Sequence, residues 1–197
     1  MAFMRYTRKA DTRVVHACTH NLADIPNGVA VCVADLQPGG VLREGSVIAP
    51  DEAGLYHLVK TAKVVEAAAT TATEIKVEKG HHFKVGDFAM AKVGGKAYAI
   101  TAVDTTSPTF DKITVGTALG VAFKVGDALQ QAKAESTGTA SAFKYEAAGF
   151  AVVGDSFDVE ALTNTVVPAV TFGQFKAAVS PAISADLRAA LPTIRFI

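Results

Sequence analysis

Three side chains of metal-binding type stand at alternate positions in the stretch HACTH: His16, Cys18 and His20. On a strand they would share one face, and imidazole and thiolate are ligands that zinc takes. Side chains two apart on a flat strand are roughly 6 to 7 Å apart, a wide spread for a tetrahedral ion with bonds of about 2.0 to 2.3 Å. The expectation is a half-buried strand face without a metal. His81 and His82 form a second pair, beside Gly80. Adjacent side chains on an extended segment point to opposite faces, and no further ligand follows at metal spacing, so a solvated turn is expected. Covalent or phosphate chemistry has no better footing, because no G-x-S-x-G, H-E-x-x-H or G-x-x-x-x-G-K-[ST] pattern occurs. Asp51, Asp87, Asp104, Asp127 and Asp155 all stand among turn-forming residues, where bonding to nearby backbone N–H groups accounts for them. The residues therefore point to a binding or structural protein, not an enzyme, with no catalytic residues, no cofactor and no metal.

Short strands must carry these side chains. Val, Thr, Phe and Ile recur in brief alternating runs punctuated by 16 glycines, a mainly β pattern. In FAMAKVGGKAYAITAV, residues 88–103, Gly94 and Gly95 separate two such runs and predict a tight hairpin. Further strands are predicted over 28–36, 45–49 and 56–60, with turns at 38–40 and 50–54. Near the C-terminus the pattern predicts a strand over 166–172, a turn at Gly173 and a second apolar segment. A short helix follows, capped by Ser184, with Asp186 in its first turn, Leu187 and Leu191 on one face and Pro192 as its stop. A last strand covers 194–197.

One word is spelled twice. Phe-Lys-Val-Gly-Asp occurs at 83–87 and again at 123–127, and upstream Ile75 aligns with Ile113 and Val77 with Val115. A structural unit is needed twice far more often than a piece of chemistry. Each copy, within a module spanning 74–132, reads as strand, turn, Phe anchor and corner. At the corner Gly86 or Gly126 supplies a positive φ, and Asp87 or Asp127 accepts from neighbouring backbone N–H groups. A weaker echo ends at Gly154-Asp155.

Composition narrows the partners. Among 197 residues, 19 Lys and Arg balance 19 Asp and Glu, so no net field favours nucleic acid or an anionic membrane. No apolar run approaches the roughly 18 residues of a membrane span, and none follows the basic N-terminus at signal-peptide length. A soluble, non-exported protein is expected. Cys18 and Cys32 are the two cysteines and form no CxxC, which suits a reduced setting in which a bridge between them is unneeded. Residues 1–13 carry Arg5, Arg8, Lys9 and Arg13 against Asp11, with Phe3 and Tyr6 interleaved. That is too little apolar surface to order a segment by itself, and a flexible arm is predicted.

The stretches GGVLREGSVIAPDEAGLYHLVKTAKVVEAA (39–68) and VVGDSFDVEALTNTVVPAVTFGQFKAAVSPAISADLRAALPTIRFI (152–197) resemble the head decoration proteins of tailed bacteriophages, the lambda-type group and the related head-fibre proteins. The shared pattern at the chain end is Gly173, the apolar segment 175–179, the helix 185–191 and the strand 194–197. With the residue reading, this implies a mainly β fold: a compact β-barrel or β-sandwich-like body from 14–73 and 133–197, with one short C-terminal helix. The duplicated strand-turn-strand module 74–132 is additional to it. The resemblance further implies a structural virion protein, made in the bacterial host cytoplasm, that binds the exterior of an assembled capsid and stabilises it. Its partners would be the major capsid protein and copies of itself, a trimer being favoured, with no direct nucleic acid and no membrane. The arm would order on the shell by strand addition, placing Phe3, Arg5, Tyr6, Arg8, Lys9 and Arg13 at the contact. The alternative is a head-fibre or a host-surface or carbohydrate-binding module, which the absence of Trp and an aromatic content of 8% disfavour.

Overall fold

The computed structural model describes residues 15–138 and 140–197. The arm residues Phe3, Arg5, Tyr6, Arg8, Lys9 and Arg13 lie outside the described residues. With 38% of residues in strands and 7% helical, the protein is mainly β. In chain order the strands are β1 (Cys18–Asp24), β2 (Val29–Val31), β3 (Val41–Leu42), β4 (Val47–Pro50), β5 (Tyr56–Leu58), β6 (Thr61–Lys63), β7 (Glu74–Val77) and β8 (Phe88–Met90). Then come β9 (Ala97–Asp104), β10 (Asp111–Val115), β11 (Ala128–Ala132), β12 (Ala151–Val153), β13 (Phe157–Asp158), β14 (Thr165–Val167), β15 (Ala169–Phe175), the helix α1 (Ala185–Ala190) and β16 (Ile194–Phe196).

The body is one sheet ordered β1-β15-β12-β4-β5-β2-β14, with β16 parallel to the end of β15 and a small β3-β13 pair beside it. One core holds Phe150, Val170, Phe175, Leu187, Leu191 and Phe196, so α1 seals the sheet with the two leucines predicted to share a face. The Ser184 hydroxyl caps α1 by accepting from the Leu187 N–H at 3.0 Å. A second core, around Leu36, Leu42, Ile48 and Val153, fills the opposite side.

The remaining six strands follow the order β6-β11-β8-β9-β10-β7. Val64 bridges Val77, the Val65 N–H donates to Lys76 O at 3.0 Å, and the Glu78 N–H donates to Lys63 O at 2.8 Å. The two ends of the sheet thereby meet and curl it around Val64, Ile75, Phe83, Ile100, Ile113, Phe123 and Leu129. This barrel takes in β6 as well as the residues 74–132 of the repeat.

The two copies are related by an internal dyad. Ile75 pairs directly with Ile113 and Met90 with Gln130, each residue facing its own counterpart. Gly86 and Gly126 have φ of +94° and +96°. The Lys84 N–H donates to Asp87 Oδ2 at 2.8 Å, and the Lys124 N–H donates to Asp127 Oδ2 at 2.7 Å. Each corner then meets a strand: Gly86 N–H donates to Ile100 O at 2.9 Å, and Gly126 N–H to Val64 O at 2.8 Å. Gly154, in the weaker echo, has no positive φ and forms no such corner.

Several local expectations are corrected. The strand predicted over 28–36 ends at Val31, because the Asn164 side chain accepts from the Val33 N–H at 3.0 Å and starts a 3₁₀ turn over Val33–Asp35. The Gly94-Gly95 hairpin has a wider loop, 91–96. Gly94 N–H donates to Ser141 O and Ala97 N–H to Ser136 O, both at 2.8 Å, which holds the two strand ends to other chain segments. Pro168 divides the predicted 166–172 strand into β14 and β15. Gly173 lies within β15 instead of at a turn, where an added Cβ would stand 2.6 Å from His20 O; its bare backbone admits β1.

Two stability tests follow from the corners. Nothing lies within 4 Å of a Cβ added at Gly86 or Gly126, so Gly86→Val and Gly126→Val should each cost about 1–2 kcal/mol through backbone strain alone. Urea melts should give matching losses at the two sites. Asp87 and Asp127 should differ, because only Asp87 also binds Lys60 Nζ, at 2.8 Å, and that lysine side chain is 2% exposed. Asp87→Asn should cost about 3–5 kcal/mol by stranding a buried ammonium, and Asp127→Asn, in an exposed turn, about 1 kcal/mol or less. Equal losses in the same melts would mean that the Lys60 contact adds nothing.

Candidate functional site

The histidine pair at the first repeat is structural. His81 and His82 are 5% and 6% exposed, not solvated, because the body segment 37–43 packs over them. The Gln37 N–H donates to His82 Nδ1 and His82 Nε2 donates to Val41 O, both at 3.1 Å. Gln37 Nε2 donates to Phe83 O at 3.2 Å, and Lys84 Nζ donates to Ala34 O at 2.6 Å. His81 accepts from the Phe83 N–H through Nδ1 and turns Nε2 toward Asp111 Oδ2 at 3.4 Å. Burial pushes the His82 imidazole down to about 4, with the Val41 carbonyl opposing. Burial lowers His81 too, against the pull of Asp111. Both rings are therefore neutral near pH 7; His82 joins the barrel to the body, while His81 makes its contacts within the barrel.

His16, Cys18 and His20 do not converge. β1 begins only at Cys18, and a register shift between Cys18 and His20 breaks the alternation that would put them on one face. His16 Nδ1 instead lies 3.4 Å from Glu44 Oε2, and the Cys18 N–H donates to Glu44 Oε1 at 2.7 Å. Burial, then the Glu44 charge, raises the Cys18 thiol above its ordinary value. Cys18 and Cys32 are both free. Among the described residues, the group that brings metal-ligand atoms within 4.8 Å of one another is Cys32, Asp35 and His57. None of these was singled out by sequence; the available signal was a short C-x-x-D spacing with a histidine on a neighbouring strand.

The most open part of the body is the β1–β15 ribbon. β1 pairs with β15 on one edge, and among the described residues no strand occupies the other. From His20 to Asp24 every residue of β1 is exposed, so neither face of this strand is covered. Leu22, 65% exposed, and Phe172, 46% exposed, stand with Pro192 around a shallow groove edged by His20, Gln174 and Arg195. Register shifts at three points twist the ribbon, a device that blunts indiscriminate edge pairing while leaving backbone groups free. At the opposite edge of the sheet, Leu162 is 97% exposed with φ of +70°.

No family model, no curated protein and no solved structure matches this chain.

The neutral histidine at the barrel–body junction sets a pH dependence. The folded value of His82, about 4, lies below the ordinary value of about 6.5, so the unfolded chain binds the proton first. Its contribution is intact above about pH 6.5 and is lost as pH falls through about 4, on the order of 3 kcal/mol in all. In melts run from pH 7 to pH 4, His82→Gln should lose less stability than the parent. Parallel pH curves for the two proteins would contradict the buried neutral ring.

Proposed function

We propose that the protein is a non-enzymatic structural component of a tailed-phage virion, bound to the outside of the assembled head and stabilising it. The observation that carries this reading is β1, an edge strand exposed on both faces from His20 to Asp24; the basic segment 1–13 precedes it in the sequence. A strand of this kind suits β-augmentation: main-chain bonds to a strand of the major capsid protein supply affinity, and side chains on both faces gain cover. The apolar pair Leu22 and Phe172 would be buried by the same contact. Arg5, Arg8, Lys9 and Arg13 would meet acidic shell surface, while Phe3 and Tyr6 add apolar contact. Self-association, with a trimer favoured, would place three such edges around one position of the shell. The resemblance of residues 39–68 and 152–197 to the head decoration proteins supports the same assignment.

Full-length protein mixed with purified expanded heads that lack it should co-sediment with them. Deleting residues 2–13, or making Leu22→Asp, should leave melting and sizing unchanged yet weaken head binding by roughly tenfold or more. Raised salt should partly mimic the deletion, because exposed charge pairs are screened. Failure of the full chain to sediment with heads would reject the capsid assignment. A deletion variant that binds as tightly at every salt concentration would remove the arm from the contact.

A further inference from the structure

Cys32, Asp35 and His57 meet where β2 ends. β2 and β5 run parallel with Val31 opposite Tyr56, and the Cys32 N–H donates to Tyr56 O at 2.8 Å, which sets Cys32 beside His57. The 3₁₀ turn over Val33–Asp35 then folds the Asp35 carboxylate back over both. One ligand atom from each residue lies within 4.8 Å of the others, and all three residues are half-buried.

The imidazole is held in one orientation from outside. His57 Nε2 lies 3.3 Å from Asp51 Oδ2. The other oxygen of Asp51 accepts from the Ala53 and Leu55 N–H groups, both at 2.9 Å, so the carboxylate is preset. Tyr145 stacks on the His57 ring at 4.8 Å and 17°. The other ring nitrogen, Nδ1, faces Asp35 Oδ2, so the imidazole stands between two carboxylates, one fixed by backbone N–H groups and one beside the Cys32 thiol.

The third group gives the cluster its chemistry. A thiolate beside an imidazole nitrogen and a carboxylate is a zinc donor set. Its two negative charges balance a divalent ion. Lys144 Nζ lies 3.8 Å from Asp35 Oδ1, the oxygen that does not face His57, and favours ligation through one oxygen only. The Asp51–His57 contact is the outer carboxylate that orients a ligating histidine and raises its basicity.

We propose that Cys32, Asp35 and His57 form a divalent metal site of zinc type, with Asp51 as the positioning residue for His57. Three protein ligands leave one tetrahedral position for water or an incoming ligand. The site lies on the body sheet away from the β1 edge and is independent of the capsid assignment.

Full-length protein stripped with chelator and titrated with Co²⁺ should bind one equivalent and show a thiolate-to-cobalt charge-transfer band, which Zn²⁺ then displaces. Cys32→Ser and His57→Ala should abolish the band, and Cys18→Ser should leave it unchanged. Asp51→Asn should weaken affinity about ten- to a hundredfold while the band persists. In the unmodified protein, which avoids any loss of folding in a variant, Zn²⁺ should protect Cys32 from alkylation and leave Cys18 unaffected. The proposal is overturned if binding is absent, if the band survives Cys32→Ser, or if Cys32 is alkylated equally with and without Zn²⁺. Any of these outcomes would leave His57 as a side chain hydrogen-bonded between Asp35 and Asp51 with no metal role.

Discussion

The buried contact between Lys60 and Asp87 is the constraint on which the rest of the molecule depends. Lys60 stands between β5 of the body and β6 of the barrel, at the first crossing of the chain from one to the other. Its ammonium reaches Asp87 Oδ2 at 2.8 Å in a place almost closed to water. Burial pushes this lysine below its ordinary value, and Asp87 is the main opposing influence. The same carboxylate accepts from the Lys84 N–H at the corner and from Gln131 Nε2 at 3.1 Å on the neighbouring strand. One side chain thus shapes the turn, ties β11 to it and neutralises the buried cation. Such a pair adds little to stability over an apolar replacement, but removing one partner is costly, which makes it a strong determinant of arrangement.

Around that point a duplicated unit has diverged at its surface while keeping its core. Both copies bury a Phe, turn at a positive-φ Gly and cap the corner with Asp. What differs is what each copy touches outside the barrel. The first carries His82 and Lys84, which bond to the body at Val41, Gln37 and Ala34. In the second, Met90 is answered by Gln130, fully buried, which accepts from Ser184 Oγ at 2.8 Å and donates to Ala91 O at 3.1 Å. The hydroxyl that caps α1 is therefore also held by the barrel. Two docking contacts, one from each copy but at different places in the repeat, fix the barrel against the body.

The body leaves its open side elsewhere. Its central strands β4 and β12 are buried, whereas β1 is bare on both faces. A strand exposed in this way gains little from packing, and bonding to β15 together with the close approach at Gly173 holds it in place. Cover from a partner would supply the missing burial. The Cys32, Asp35 and His57 group sits on other strands of the same sheet, so a partner at the edge and a metal in the cluster would not compete for residues.

Local chemistry carried a good part of this outcome in the sequence itself. The mainly β character follows from short alternating runs, the Ser184 cap and the Leu187–Leu191 face follow from helix-end rules, and the Gly-Asp corners follow from the need for positive φ beside a carboxylate. Each depends on residues within a few positions of one another. The burial of His82 had no local sign, because the groups that bond to it, Gln37 and Val41, come from some forty residues earlier in the chain. Cys32, Asp35 and His57 were equally hidden. Their meeting requires a parallel β2–β5 pair and a turn begun by Asn164, whose bond to Val33 spans 131 positions. Spacing along the chain speaks for contacts made within a turn or a strand; only the closed sheets decide which distant polar groups lose water together, and so which become neutral, paired or available to a ligand.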